Sequence, residues 1–206
     1  MNKLLLGVIA MAIIVVASNI LVQYPIGQWL TWGAFTYPFA FLVSELVNRF
    51  EGAKAARRVV YAGFAVGLIC SVIGTQIIGE FGPLVTLRVA IGSGAAFLIG
   101  QLLDVTVFDK LRRTAWWRAP FLGSLLGSSV DTVLFFTLAF SSAFIWLDPA
   151  SDVSWAAAQV PLLGFGREVP LWVSLGLADF CVKVAVDLIA LMPFRLAIAK
   201  YASRLA

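Results

Sequence analysis

Phe41-Leu-Val-Ser-Glu45-Leu-Val-Asn48 and Phe97-Leu-Ile-Gly-Gln101-Leu-Leu-Asp104 share one frame: a polar residue, then another three places on, inside an apolar run. On a helix that spacing stacks Glu45 on Asn48 and Gln101 on Asp104 along a single face. In lipid a carboxylate there costs roughly 2.5–3.5 kcal/mol on insertion scales, so a partner in a bundle interior must meet it. The two copies predict a polar site between membrane helices.

The surrounding composition agrees. The 206 residues are 61% hydrophobic and 13% charged, whereas soluble domains are about half apolar and about a quarter charged. An all-α integral membrane protein is expected. The net charge of +4 comes from cations in short loops and is not a nucleic-acid signal. There is no histidine, which removes the commonest metal ligand and any Ser-His or Cys-His nucleophile. Cys70 and Cys181 lie in apolar runs, so neither a disulfide nor a thiol site is expected. No phosphate-cradling loop is present, so the chain itself does not hydrolyse ATP. No enzyme activity, cofactor or metal centre is anticipated.

Six apolar segments are long enough to cross roughly 30 Å of hydrocarbon, near 4–23, 32–50, 59–78, 84–108, 121–147 and 171–199. The first is read as an uncleaved span rather than a signal peptide, because its core is long and Asn19 and Gln23 follow as an i,i+4 polar pair. Lys54, Arg57 and Arg58 are expected in the loop after span two, and Lys110, Arg112, Arg113 and Arg118 in the loop after span four. Arg195, Lys200 and Arg204 close the chain and Lys3 opens it. By the positive-inside rule both termini are cytoplasmic. The outer side is aromatic and turn-rich, with Tyr24-Pro25, Trp29, Trp32, Tyr37-Pro38, a tight turn from Gly79 to Pro83, and a longer segment from Asp148 to Pro170. These residues form either an interfacial belt with an ordinary loop, or a mouth at which Gly33, Pro38 and Pro161–Gly166 bend the backbone. Spans two and four align at an offset of 56 residues, which suggests three pseudo-repeated helical hairpins.

Chemistry concentrates in few residues. Ser124, Ser128 and Asp131 share a face of span five, and Asp179, Lys183 and Asp187 recur every four residues on span six. An ammonium flanked by carboxylates one turn away is neutralised within its own helix, so that row reads as a structural ion network or as part of a site. Glu45 has Arg49 as an i,i+4 alternative partner, Asp104 could reach the headgroups, and Arg88 could anchor at the interface or pair with Glu80. Asp131, near mid-membrane with no base within a turn, needs a partner from another helix, a proton or a ligand. Phe41, Phe97, Phe135, Phe136 and Phe180 could stack against a flat ring or simply pack. The candidate substrate-binding residues are Glu45, Asn48, Gln101, Asp104, Asp131, Asn19, Arg88 and Lys183.

Ala17-Ser-Asn19, the frame from Phe41 to Asn48 running into Arg49-Phe-Glu-Gly52, and Ala55-Ala-Arg57-Arg58 carry a family likeness. Arg88, the frame from Phe97 to Asp104, Gly127-Ser-Ser-Val-Asp131-Thr and Lys183 to Asp187 before Pro193-Phe-Arg195 extend it. Together they resemble the bacterial queuosine precursor transporter family over nearly the whole chain. The resemblance implies a six-span importer in the bacterial inner membrane. Its substrate would be 7-cyano-7-deazaguanine, or the aminomethyl relative, salvaged for modified tRNA. It makes a deazapurine and the bilayer the expected partners, with a homodimer left open. The ligand's N–H edge would suit a carboxylate, and carboxamides would read its carbonyl. Two other classes stay open: a substrate-binding subunit of an energy-coupling importer, docking through small residues Gly7, Ala10 and Ala17, or a transporter of another small heterocycle or ion.

Overall fold

Pro38 interrupts the second apolar run. It has no N–H to donate, and the Ala40 and Phe41 amides bond only three residues back, to the Tyr37 and Pro38 carbonyls. The computed structural model describes residues 3–80 and 82–202. Phe81 in the expected outer turn and Arg204 at the end lie outside the described residues.

The helices are α1 (Lys3–Leu21), α2 (Gly33–Thr36), α3 (Phe39–Glu51), α4 (Ala53–Gln76), α5 (Leu87–Leu111), α6 (Arg118–Phe140) and α7 (Leu171–Ala202). Four of them, α1, α4, α5 and α6, are long and apolar enough to cross a membrane. The break at Pro38 leaves α3 with 13 residues, and α7 carries Asp179, Lys183 and Asp187 along its middle. Three two-stranded antiparallel ribbons pair Pro25–Ile26 with Leu30–Thr31, Ile78–Gly79 with Gly82–Pro83, and Gln159–Pro161 with Glu168–Pro170. They occupy the α1–α2, α4–α5 and α6–α7 connections and add to the expected all-helical architecture.

Several boundaries differ from the sequence reading. Gly52 alone joins α3 to α4; at φ +87° it takes a backbone conformation that L side chains rarely adopt. The chain therefore re-enters a helix at Ala53, and Lys54, Arg57 and Arg58 sit on the first turns of α4 instead of in a loop. The fifth run, expected to continue to residue 147, ends as α-helix at Phe140. Ser141 is extended, and Ser142–Leu147 forms a 3-10 segment. The other end of the neighbouring helix is set by Thr86, whose hydroxyl accepts from the Val89 amide and caps α5.

Packing is tightest between α5 and α6. A side chain at Gly100 would strike the Gly127 carbonyl and Asp131, and one at Gly123 would strike the Asp104 carboxyl. Small residues let these backbones approach closely, as membrane helices require when no hydrophobic force separates helix from lipid. Across α1, α3, α4 and α5 the core is apolar, built on Met11, Val15, Phe97 and Val105. Phe108 and Phe194 meet edge-on at 5.9 Å in a second cluster between α5 and α7. The repeated frames face each other: Ser44 on α3 contacts Gln101 and Asp104 on α5, and Asn48 donates to the Val105 carbonyl at 3.0 Å. The repeat is imperfect, since α5 is continuous where its counterpart is broken at Pro38.

Candidate functional site

A cavity of about 420 Å³ opens among α1, α2, α4, α5, α6 and α7. Its size falls in the usual range of small-molecule sites, about 300–1,000 Å³. Phe64, Phe97, Phe135, Phe136 and Phe140 supply apolar wall; Trp29 and Trp155 come from the outer connections. Asn19, Gln23, Ser71 and Ser93 add polar groups, and Asp131, Asp179 and Lys183 complete the lining.

The last three form a buried ion triad. Lys183 Nζ lies 2.7 Å from Asp131 Oδ2, 2.5 Å from Asp179 Oδ2 and 3.1 Å from Thr132 Oγ1. An ammonium has three protons, and all three are engaged. Asp131 is engaged too: its other oxygen accepts from the Tyr37 hydroxyl at 2.7 Å. The Thr132 hydroxyl in turn donates to Asp179 Oδ2. What remains is Asp179 Oδ1, which takes part in none of these bonds. Two carboxylates against one ammonium leave the triad with one excess negative charge.

Tyr37 completes the arrangement, though the sequence reading put it in an outer aromatic belt. Its ring lies 5.1 Å from Lys183 Nζ in a cation–π contact and edge-on to Phe41 and Phe97. Gly33 also lines the cavity, whereas Pro161–Gly166 does not. Of the phenylalanines proposed to stack, Phe97, Phe135 and Phe136 line it; Phe41 and Phe180 do not.

The sequence candidates divide into three groups. Asn19, Asp131 and Lys183 reach the cavity, and Asp179, read only as part of an ion network, joins them. Arg88 is elsewhere. It is fully buried, and it donates to the Leu138 and Ser141 carbonyls at 3.2 and 2.6 Å, holding the end of α6 where its own amides run out. It forms no ion pair with Glu80. Glu45, Asn48, Gln101 and Asp104 make a separate buried cluster that does not line the cavity. Glu45 accepts from Ser124 at 2.7 Å and is not paired with Arg49, which donates to the Arg112 carbonyl. Asp104 is fully buried and does not reach the headgroups.

The ion row also departs from its expected symmetry. Asp187 makes no ion pair with Lys183 and takes a 3.3 Å hydrogen bond from Ser128. Side chains on a helix lean toward its N-terminus, so the long lysine reaches back to Asp179 and away from Asp187. On α1, Gly7 is buried against Val47 and Val59, so the small-residue face expected for docking a partner is partly occupied within the chain.

A family model described as a putative vitamin uptake transporter matches residues 31–198. The queuosine precursor transporter of Escherichia coli (strain K12) is 33% identical, over 88% of this chain and 79% of the relative. The probable queuosine precursor transporter of Haemophilus influenzae is 32% identical, over 87% and 79% respectively. A protein of the same description from Bacillus subtilis (strain 168) is 27% identical, over 80% and 70%. No solved structure matches the chain.

Proposed function

The chain belongs to the putative vitamin uptake transporter family, and we propose that it imports a queuosine precursor through the cavity beside Asp179. The favoured substrates are 7-cyano-7-deazaguanine and its aminomethyl relative. The observation that carries this reading is the unengaged Asp179 oxygen in an aromatic-walled cavity with excess negative charge. A guanine-like edge offers ring N–H and amino donors; a buried carboxylate oxygen is their strongest acceptor. The remaining oxygens of the triad are held by Lys183, Tyr37 and Thr132, which fixes the acceptor's direction before a ligand arrives. Asn19 and Gln23 are carboxamides suited to the ligand's carbonyl, and Phe97, Phe135 and Phe136 to its flat faces.

In this reading six segments cross the membrane. Residues 33–51 would span about 28 Å as one kinked helix, and α7 would cross with its charges turned inward. Lys3 pairs with Glu51 at 3.2 Å, which sets the start of α1 beside the end of α3, and Arg49 and Arg112 gather near that end. This cation-rich end is assigned to the cytoplasm and the ribbons to the outside of a bacterial inner membrane. The bilayer and a deazapurine are the partners; the cavity is complete within one copy.

A competition experiment tests the substrate. Purified protein is loaded with radiolabelled 7-cyano-7-deazaguanine and challenged with its aminomethyl relative, guanine, and unrelated heterocyclic vitamins. Displacement by the deazaguanines ahead of the vitamins supports the proposal. Equal displacement by the vitamins would contradict it.

A further inference from the structure

Below the ion triad, one turn before Asp131 on α6 and one turn after Lys183 on α7, lies a second polar cluster that plays no part in the cavity. Glu45 from α3, Asp104 from α5 and Asp187 from α7 are each no more than 6% exposed. Each has a serine hydroxyl as its hydrogen-bonding neighbour: Ser124, Ser44 and Ser128. Asp104 and Asp187 both act electrostatically on Glu45. Among the described residues no base pairs with any of the three. Lys183 has spent its protons on Asp131, Asp179 and Thr132 and acts on Asp187 only across space. Arg49 donates to the Arg112 carbonyl, Arg112 is held by Asp109 and the Asn48 and Arg49 carbonyls, and Lys54 and Arg58 on α4 are exposed. Asp131, the acid on α6, is bonded to Lys183 and Tyr37.

The cluster is also short of hydrogens. Ser44 has one hydroxyl proton, yet its oxygen lies 2.9 Å from the Phe41 carbonyl, 3.0 Å from Gln101 Oε1 and 3.1 Å from Asp104 Oδ2. One proton cannot serve three acceptors. Asp104 Oδ1, Asn48 Oδ1 and Gln101 Nε2 are left without partners, on residues that are fully buried. Turning the Gln101 amide over would relieve the contact with Ser44 and strand its carbonyl instead. A proton on Asp104 Oδ2, donated to Ser44 Oγ, turns one of the three competing acceptors into a donor without moving an atom, and leaves the Ser44 hydrogen to the Phe41 carbonyl and Gln101 Oε1.

We propose that Glu45, Asp104 and Asp187 form a proton site that couples import to the proton gradient. One proton enters with one neutral substrate molecule and is released on the cytoplasmic side. Coupling would act through α6 and α7: Ser128 and Asp187 hold the proton site one turn from the Asp131, Thr132 and Lys183 contacts that shape the cavity. The proposal rests on the transport reading above.

The test uses the full chain in proteoliposomes, with the membrane potential clamped and radiolabelled 7-cyano-7-deazaguanine as probe. Counterflow, the exchange of external label for internal unlabelled compound, comes first because it needs no gradient; its absence would overturn the transport reading itself. With counterflow established, one pH unit, acid outside, is expected to accumulate label about tenfold, with the interior acidifying in step. Asp104→Asn and Glu45→Gln are expected to keep counterflow and lose accumulation. Should either fail to fold, Ser124→Ala removes the hydroxyl that serves Glu45 and should move the pH midpoint of accumulation upward. The proposal is overturned if accumulation ignores the pH gradient, or if a sodium gradient alone drives it. It is equally overturned if folded Asp104→Asn and Glu45→Gln both accumulate as wild type, or if the Ser124→Ala midpoint stays put.

Discussion

Replacing Asp179 by asparagine changes the charge of the triad without changing its shape. The amide keeps an oxygen for Lys183 Nζ, and Lys183 retains Asp131 at 2.7 Å and Thr132 at 3.1 Å. The excess charge falls from −1 to 0. A ligand N–H that met a carboxylate oxygen now meets a neutral amide group. A hydrogen bond to a charged group contributes about 1.5–3 kcal/mol, so the substrate should bind about 10- to 150-fold more weakly. The melting temperature of purified protein should change little, because no buried charge is left alone. Equilibrium binding of radiolabelled 7-cyano-7-deazaguanine, with a melt on the same preparation, reads both quantities. Wild-type affinity in folded Asp179→Asn would refute the assignment of Asp179 as the ligand's acceptor.

Lys183→Met has the opposite signature: it strands two carboxylates in the interior and should cost about 3–5 kcal/mol of stability. Adding Asp131→Asn should recover part of that loss, read as a rise in melting temperature over the single variant. Arg88→Gln should lower the melting temperature by freeing the Leu138 and Ser141 carbonyls while leaving substrate affinity within about twofold, since Arg88 does not line the cavity. Gly123→Ala drives a methyl group into the Asp104 carboxyl and should destabilise by about 1–3 kcal/mol; a melt unchanged from wild type would show that α5 and α6 can separate there.

The repeated frame was legible because helix geometry leaves no freedom: residues three apart share a face, and a carboxylate in an apolar run must point inward. Glu45, Asn48, Gln101 and Asp104 are indeed buried together between α3 and α5. Their separation from the cavity was not legible, since it depends on how α6 and α7 close over them. The lysine's choice of partner was half visible. Acid-before-base at i,i+4 is the favoured order on a helix, which singles out Asp179 over Asp187, but the bond to Asp131 arises between helices. The segment around Tyr37-Pro38 left an interfacial belt and a bent mouth equally open to the sequence, and the Tyr37 bond to Asp131 depends on the neighbouring helix. The fifth run was extended to 147 on hydropathy alone. Apolar residues continue there, but Ser141 adopts an extended conformation and ends the α-helix.

Movement of a queuosine precursor by this chain alone, through the cavity beside Asp179, is what the proposed function requires. Proteoliposomes containing only the purified protein and exposed to radiolabelled 7-cyano-7-deazaguanine test it most directly. Time-dependent entry of label that empty liposomes lack is expected, saturating with concentration and strongly reduced in Asp179→Asn. Entry equal to that of empty liposomes, from protein shown to be folded, would contradict it.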